Sequence, residues 1–257
     1  MMKTKPDLAS PKILVYDIET AGVNALNADL GYVITFGYIW LDDFNKGEKA
    51  KTISIADFPE FEKDPHNDKM IVKAGLELMA QADGLIHHYG NRFDHPYMRT
   101  RGVKHRIPIY TDVAALDTCH LAWKTFKLSR NSLKNVAQFL DCKYQKLEKL
   151  DGWPKWWMDF LKGSTKSDKK MREYCALDVM TLAEIAERMR PYWTVAFCNR
   201  LYVKNQLDRW GDATRKCMKC GGVKLESKGI GVRARRPCRL LKCRTCGFSG
   251  NIEKVGY

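Results

Sequence analysis

The first third of the chain alternates short apolar runs with polar turns. Residues 12–18 (KILVYDI) and 32–40 (YVITFGYIW) are apolar and rich in β-branched and aromatic residues, and residues 51–56 (KTISIA) follow the polar turn 42–49 (DDFNKGEK). Runs of this length, bounded by turn residues, indicate strands, and short connections favour antiparallel pairing. We therefore predict an antiparallel meander of three strands.

Helical and strand patterns alternate in the next segment. Residues 68–82 repeat apolar positions at helical spacing and run into the apolar segment 84–89 (GLIHHY), which predicts a helix followed by a strand. Residues 117–126 and 132–140 are also predicted to be helical, the second with Ser132 as its N-cap. The alternation predicts an α/β fold with a mixed sheet.

The strongest helical pattern covers residues 167–190 and ends before Pro191. One predicted face of this helix is mainly apolar, with residues at three- and four-residue steps: Met171, Tyr174, Asp178, Leu182, Ile185 and Met189. We predict one domain over residues 11–192, a connector over 193–213 and a small module over 214–257.

Composition and charge narrow the function classes. With 45% hydrophobic and 11% aromatic residues, the chain can bury a core. Its net charge of +14 is uneven, since residues 211–257 hold twelve Lys or Arg against three Asp or Glu. A basic tail favours a polyanionic partner, most often nucleic acid, although a solvated basic surface is the alternative.

Neither a membrane span nor an apolar secretion signal is found in the sequence. We therefore expect a cytoplasmic protein without a membrane partner, and a bacterial or virus-encoded origin is compatible with this. Five of the nine cysteines crowd into residues 217–246. In a reducing compartment such clustering favours metal binding over disulfides.

The cysteine cluster contains two C-x2-C pairs, each followed by glycine. Cys217 and Cys220 form the first pair, and Cys243 and Cys246 form the second. Four thiolates around one structural Zn²⁺ can hold a module that is too small to be stabilised by burial. We predict a C-terminal zinc ribbon, with thiol redox chemistry as the alternative.

The opening strand carries two acids in an apolar run, Asp17 and Glu19 in VYDIET. Residues two apart on a strand project from the same face, so their charges repel unless a cation lies between them. Asp94 follows the apolar segment 84–89 and is either a helix N-cap or an acid at the carboxyl end of the sheet. Asp178 lies on the apolar helix face, four residues after Tyr174, where an acid is costly without a cation.

Together these residues predict a hard oxygen site. Carboxylates without histidine or thiolate suit Mg²⁺ or Mn²⁺, and two such ions can clamp the attacking and leaving oxygens of a phosphoryl displacement. His87 and His88 compete as ligands, but consecutive strand residues face opposite ways, which favours structural roles for them. Asp117, before Thr118, is interpreted as a helix cap.

The motifs also carry a family resemblance. Asp17-x-Glu19, Asn91-x-Phe93-Asp94 and Tyr174-x3-Asp178 resemble the three exonuclease motifs of the DEDD superfamily, in its tyrosine-containing DEDDy branch. That branch includes RNase D and the proofreading domains of family B DNA polymerases. The resemblance covers about residues 11–192 and implies a ribonuclease H-like, mixed five-stranded sheet flanked by helices.

The resemblance implies a 3′–5′ exonuclease that uses two metal ions on single-stranded nucleic acid, with DNA favoured over RNA. Asp17 would bridge both ions, Glu19 and Asp178 would complete one site, and Asp94 would hold the second ion. Tyr174 would orient the attacking water. Asn91 and Phe93 would contact the substrate, and replication or repair proteins are candidate partners.

Two further groups are candidates for nucleic-acid contact. Four arginines lie between the two C-x2-C pairs and could grip phosphates, with a solubilising hairpin as the alternative: Arg233, Arg235, Arg236 and Arg239. Trp153, Trp156 and Trp157 either stack on bases or anchor a loop to the core.

Two rival functions stay open at the level of sequence. One is a non-catalytic nucleic-acid-binding or assembly protein. The other is a nuclease of the same chemistry that acts on RNA or cuts internally.

Overall fold

The computed structural model describes residues 11–108, 113–145, 158–160, 162–198, 201, 224–233, 236–245, 247 and 251–254. The chain divides into two compact units, one comprising Lys12–Arg188 and the other Met1–Pro11 with Met189–Tyr257. The first unit holds all the acidic residues that the sequence predicts to bind metal. Along the described part of the chain, no helix is both long and apolar enough to span a bilayer.

The larger unit is built on a five-stranded mixed sheet. Its strands are β1 (Ile13–Gly22), β2 (Gly31–Trp40), β3 (Lys51–Ser54), β4 (Gly84–His87) and β5 (Ala114–Asp117), in the order β3-β2-β1-β4-β5. β1 and β3 both pair with β2 in antiparallel fashion, which confirms the predicted meander. β4 pairs in parallel with β1 and with β5, which confirms a mixed sheet.

Helices cover both faces of this sheet. They are α1 (Leu41–Asn45), α2 (Glu60–Lys63), α3 (Lys69–Gln81), α4 (Asp94–Lys104), α5 (Thr118–Thr125), α6 (Leu133–Phe139) and α7 (Thr165–Arg188). The predicted helices at α3, α5, α6 and α7 are confirmed. The predicted polar turn after β2 is wrong in one respect, since its first residues form the short helix α1, which buries Leu41.

Two glycines mark where the helices approach the sheet. A Cβ atom on Gly37 of β2 would lie 2.6 Å from the Cys175 sulfur of α7, and one on Gly75 of α3 would lie 2.8 Å from the Phe36 ring. Phe36 and Gly37 are neighbours on a strand, so their side-chain directions point to opposite faces. Hence α3 packs on one face of the sheet and α7 on the other.

The core on the α3 face is dense and aromatic. Tyr16 of β1 and Phe36 of β2 are fully buried, and their rings stack with centroids 5.6 Å apart. Met98 of α4 packs against Gly75, so α4 covers the same face. Burial on this scale supplies the main stabilising free energy of the unit.

Capping contacts fix the helix ends as the sequence predicts. The Ser132 hydroxyl accepts a hydrogen bond from Asn135 N at the start of α6, and the Asp117 carboxylate accepts from Cys119 N and His120 N at the start of α5. α7 begins at Thr165, two residues earlier than predicted, and ends at Arg188. A 3₁₀ turn, Arg190–Tyr192, carries Pro191.

A buried ionic network joins α3, α4 and β2. The Asp68 carboxylate, which is fully buried, accepts from Arg101 Nε at 2.8 Å and Nη2 at 2.6 Å, and from Val33 N at 2.9 Å. His105 Nε2 lies 2.5 Å from the same carboxylate. The network fixes α4, the helix that begins at Asp94, against the sheet.

The smaller unit contains a three-stranded antiparallel sheet, in the order β6-β7-β8. Its strands are β6 (Leu225–Arg233), β7 (Arg236–Cys243) and β8 (Asn251–Lys254). Leu241 and Cys243 are buried, and Arg244 Nε lies 2.7 Å from the Glu226 carboxylate. Of the four cysteines predicted to bind zinc, Cys217, Cys220 and Cys246 lie outside the described residues.

Candidate functional site

Asp17 and Glu19 lie on the face of β1 that is covered by α7. Their register partners on β2 are Gly37 and Thr35. The absence of a side chain at Gly37 lets the Cys175 thiol approach β1, where it donates to the Asp17 carbonyl oxygen at 3.8 Å. Both carboxylates are half-buried, so they share a partly desolvated environment.

The two acids form a compact group with Cys175. One ligand atom from each of Asp17, Glu19 and Cys175 lies within 4.8 Å of the others. The pKa of the Cys175 thiol is raised well above its ordinary value, first by burial and then by the charges of Asp17, Glu19 and Asp178. Two of the three groups are carboxylates, whose oxygen atoms suit a hard divalent cation.

Asp94 is brought to the same strand by a long-range hydrogen bond. Its side chain is buried, and Oδ1 accepts from the backbone N of Ile18, the residue between Asp17 and Glu19, at 3.2 Å. Asp94 is the first residue of α4, and no side-chain cap precedes it. Of the two sequence interpretations, an N-cap or an acid at the sheet's carboxyl end, the structure supports the second.

The charge of Asp94 also acts on its neighbours in β1. The pKa of the buried Tyr16 hydroxyl is raised well above 10, first by burial and then by the charges of Asp94 and Asp17. Both carboxylates therefore lie close enough to Tyr16 to disfavour its phenolate. The Tyr16 hydroxyl stays protonated at neutral pH.

Tyr174 and Asp178 lie one turn apart on α7, as predicted. Asp178 is 2% exposed and Tyr174 is half-buried. The charge of Asp178 contributes to the raised pKa of Cys175, the thiol that contacts β1. Asp178 therefore lies one turn from the thiol that contacts β1, on the helix that covers the sheet face carrying Asp17 and Glu19.

Ionic contacts hold the first turns of α7 against the edge of the sheet. Arg172 forms ion pairs with Asp57 and, at 2.7 Å, with Asp168. The Ser54 hydroxyl at the end of β3 donates to Asp168 at 2.7 Å. These contacts fix the rotation of α7 and so the direction in which Tyr174 and Asp178 project.

Asn91 and Phe93 lie on the loop between β4 and α4. Asn91 is exposed, and its backbone N donates to Asp117 Oδ2 at 3.1 Å. Phe93 is half-buried, with its ring 5.4 Å from that of Tyr97. The loop presents the Asn91 side chain to solvent next to Asp94.

Asp117 does more than cap α5. Its carboxylate, at the end of β5, also accepts from Tyr89 N at 2.9 Å and Asn91 N at 3.1 Å, in addition to its two bonds to α5. The residue thereby ties the loop that leads to Asp94 to the sheet. The helical pattern that follows Asp117 predicts its role as the α5 cap. No feature of the sequence predicts its hydrogen bonds to the loop between β4 and α4.

We expect Asp117→Asn to weaken Mn²⁺ binding about 10- to 100-fold, since residues that support metal ligands typically contribute this much. In the variant, the amide NH₂ group replaces one carboxylate oxygen and cannot accept the backbone N–H hydrogen bonds made to that oxygen. The loss of these bonds should lower the free energy of unfolding by about 1–3 kcal/mol. Calorimetric Mn²⁺ titration and urea unfolding measure the two effects. In Ser132→Ala, which removes the α6 cap, only stability should fall; equal Mn²⁺ affinity in both variants would exclude this role of Asp117.

His87 and His88 have separate structural environments. His88 Nδ1 lies 2.9 Å from the Thr118 hydroxyl, and its Nε2 lies 2.8 Å from the Asn131 carbonyl oxygen. His87 is fully buried, with Nδ1 3.8 Å from the Asp117 carboxylate. Burial lowers the pKa of His87 to about 4, and Asp117 opposes this only in part.

The low pKa of His87 predicts a loss of stability in mild acid. An unfolded histidine, with a pKa near 6.5, takes up a proton that the folded protein does not, so stability falls as the pH drops from about 6.5 to about 4. Between pH 7 and pH 5 the loss is about 2 kcal/mol. In His87→Phe this part of the loss should be absent in urea unfolding at the two pH values; an unchanged difference between them would contradict the assignment.

The structure describes only some of the other residues predicted to contact nucleic acid. Arg233, Arg236 and Arg239 lie on the β6–β7 hairpin, at which Arg233 pairs with Arg236. Arg235 and the tryptophans Trp153, Trp156 and Trp157 lie outside the described residues. Their predicted roles therefore stay predictions.

Comparison with known proteins identifies a family and related solved structures. A protein-family model described as the RNase_H superfamily matches residues 14–190. The family B DNA polymerase from the hyperthermophilic archaeon Pyrobaculum calidifontis is similar in structure, with a TM-score of 0.54 and 13% sequence identity. The similarity covers 88% of this chain but only 31% of the polymerase chain, and it is a similarity of fold. None of the curated proteins matches the sequence.

Proposed function

Since the chain belongs to the RNase H superfamily through residues 14–190, we propose that it is a metal-dependent 3′–5′ exonuclease. Its substrate is single-stranded nucleic acid, with DNA favoured over RNA. The proposal is supported above all by one contact, the hydrogen bond from Ile18 N to Asp94. This contact joins Asp94, at the start of α4, to the strand that carries Asp17 and Glu19. Ile18 and Asp94 are 76 residues apart in the sequence.

The donor set fits hard divalent cations. Asp17, Glu19, Asp94 and Asp178 would hold two Mg²⁺ or Mn²⁺ ions, because four carboxylates form a hard oxygen donor set. When bound, such ions lower the pKa of an attacking water and offset charge on the leaving oxygen. The acids themselves need that positive charge, because like charges in a partly buried site repel.

The chain's own side chains supply positioning. Tyr174 is half-buried one turn before Asp178, where its hydroxyl would orient the attacking water. Asn91, exposed on a loop held by Asp117, would bind the terminal nucleotide, and Phe93 would support it. The Tyr174-x3-Asp178 pattern resembles that of DEDDy exonucleases, which favours the 3′–5′ direction.

A labelled-substrate assay tests the proposal. Single-stranded DNA and RNA labelled at the 5′ end are incubated with Mg²⁺ or Mn²⁺, with a chelator and with Asp178→Asn as controls. We expect a descending ladder of products that requires metal and is absent in both controls. A single internal product would indicate an endonuclease, and binding without any product would indicate a non-catalytic protein; either result would overturn the exonuclease assignment.

For the C-terminal module, residues 214–257, we propose a zinc ribbon that helps to hold the substrate. Support comes from the two C-x2-C pairs and from Cys243, which is buried at the end of β7. A zinc-supported β6–β7 hairpin would present Arg233, Arg235, Arg236 and Arg239 to phosphates.

We expect one zinc ion per chain by elemental analysis, and its loss in Cys243→Ser, because a thiolate ligand is removed. Cys119→Ser, outside the C-x2-C pairs, should retain the metal. The loss of zinc should weaken nucleic-acid binding more than it slows cleavage. Wild-type protein without zinc would contradict the ribbon.

A further inference from the structure

An exposed aromatic surface lies at the carboxyl ends of β4 and β5. Tyr89 is 53% exposed and Trp123 is 65% exposed. Asp117 Oδ1 accepts from the backbone N of both Tyr89, at 2.9 Å, and His120, at 3.2 Å, and the His120 ring lies 5.7 Å from the Trp123 ring. One carboxylate thus binds the backbone at Tyr89 and at His120, and the His120 ring contacts Trp123; we call these three exposed residues the aromatic patch (Tyr89, His120 and Trp123).

The exposed rings of Tyr89 and Trp123 do not contribute to the stability of the fold as buried aromatic rings do. Burying a large aromatic side chain stabilises a fold, so two exposed rings in one place indicate a surface that another molecule covers. Tyr89 also has a left-handed backbone, with φ of 63°, which is unusual for a bulky residue. The hydrogen bond from its backbone N to Asp117 holds the residue in that conformation.

The two chain segments that carry the aromatic patch contain basic residues and no acidic ones. The segment 118–134 contains four basic residues and no acid, and the loop 88–93 adds one basic residue and no acid. Four of these basic residues are exposed: Arg92, Lys124, Lys127 and Arg130. The charge complements a polyanion, and the rings complement flat, unpaired bases.

The aromatic patch is continuous with the candidate active site. Tyr89 begins the loop that carries Asn91 and runs into Asp94, and Asp117 binds the backbone of both Tyr89 and Asn91. A strand that reaches Asp94 therefore passes near the aromatic patch. A duplex would keep its base faces stacked inside, so the rings favour a single strand.

We propose that the aromatic patch and its basic neighbours form a binding surface for single-stranded nucleic acid. Bases stack on Tyr89 and Trp123, while Lys124, Lys127 and Arg130 contact phosphates. The inference rests on the proposed function and deepens it, because it makes the single-stranded form of the substrate a consequence of this surface. It assigns the recognition of unpaired bases to the larger unit rather than to the zinc ribbon alone.

Binding measured without cleavage tests the inference. Fluorescence anisotropy in EDTA compares wild type, Tyr89→Ala and Trp123→Ala on an oligonucleotide of about twelve nucleotides and on an abasic strand of the same length. We expect each substitution to weaken binding of the intact strand about 5- to 100-fold and to leave the abasic strand unchanged. Tyr192→Ala, an exposed aromatic of the smaller unit, is the matched control and should bind both as wild type does.

Charge is tested separately from stacking. The double substitution Lys127→Gln with Arg130→Gln should weaken binding of both strands and reduce the slope of log K against log salt by about 1.4, because two phosphate contacts are lost. Unchanged affinity for the intact strand in Trp123→Ala and Tyr89→Ala would overturn the inference about the aromatic patch. In that case, cleavage by the wild-type protein would still support the proposed nuclease function. Loss of binding in these variants with no cleavage by wild type would support the surface and refute the nuclease.

Discussion

Replacement of Asp17 by asparagine is expected to lower the cleavage rate at least about a thousandfold. Asp17 would be one of the metal ligands, and metal ions contribute several kcal/mol to the stabilisation of charge in the transition state. Since about 1.4 kcal/mol corresponds to a factor of ten, the loss of this ligand is expected to cost at least about three orders of magnitude in rate. The shape of the side chain is conserved, so the substitution tests charge and coordination rather than packing.

Two controls accompany the Asp17→Asn measurement: the thermal stability of the variant and the cleavage rate of a variant at another acidic residue. Asp42→Asn, at an exposed position in α1, should retain the wild-type rate. The metal-free Asp17→Asn protein should unfold at no lower temperature than wild type, because a repulsion between Asp17 and Glu19 is removed. Cleavage by Asp17→Asn at a rate near that of wild type would remove the acidic cluster from the mechanism.

Asp68→Ala is expected to destabilise the fold by about 3–5 kcal/mol. The substitution leaves the guanidinium of Arg101, which is 1% exposed, without its carboxylate partner, and it removes the acceptor of Val33 N. An unpaired buried charge costs more than the pair contributes, which is why the loss is large. Urea unfolding followed by circular dichroism measures it.

The matched control for Asp68 is an exposed ion pair. Lys73 and Glu77 lie 3.9 Å apart on α3, with side chains about half exposed. Lys73→Ala should change stability by less than about 1 kcal/mol, since surface pairs contribute little. If Asp68→Ala were no more destabilising than Lys73→Ala, the buried network would not be what fixes α4 and Asp94.

Local sequence patterns predicted much of the sheet and most of the long helices. β1 and β2 are continuous apolar strands, and α3 and α7 have clear helical periodicity, so each could be identified from short-range spacing. α1 was missed because its five residues lie in a polar segment with turn-forming composition. β5 was not assigned because its sequence, AALD, has no β-branched or aromatic residue, the types that favour strands.

For the candidate site, local sequence patterns could predict pairs of residues within one element but not the contacts between elements. Asp17 and Glu19 share a strand, and Tyr174 and Asp178 share a helix, so each pair could be predicted to project together. The hydrogen bond from Ile18 to Asp94 spans 76 residues, and the pair Asp68–Arg101 spans 33. Periodicity reports only which way a side chain points within its own element, so such contacts depend on the fold.

Cys175 illustrates what neither pattern nor motif could predict. It is buried beside the acids because Gly37, on a different strand, leaves room for its sulfur. In the sequence it is one of several scattered cysteines with no distinguishing feature. The pKa of its thiol is raised first by burial and then by the surrounding carboxylates, so this shift is a property of the assembled site.

The proposed mechanism requires that four carboxylates, from β1, the first residue of α4, and α7, converge on divalent metal ions. Crystals grown with Mn²⁺ and measured at a wavelength where manganese scatters anomalously would locate those ions directly. We expect anomalous peaks bounded by Asp17, Glu19, Asp94 and Asp178. Their absence at saturating Mn²⁺, or peaks bound only by other residues, would contradict the proposed mechanism.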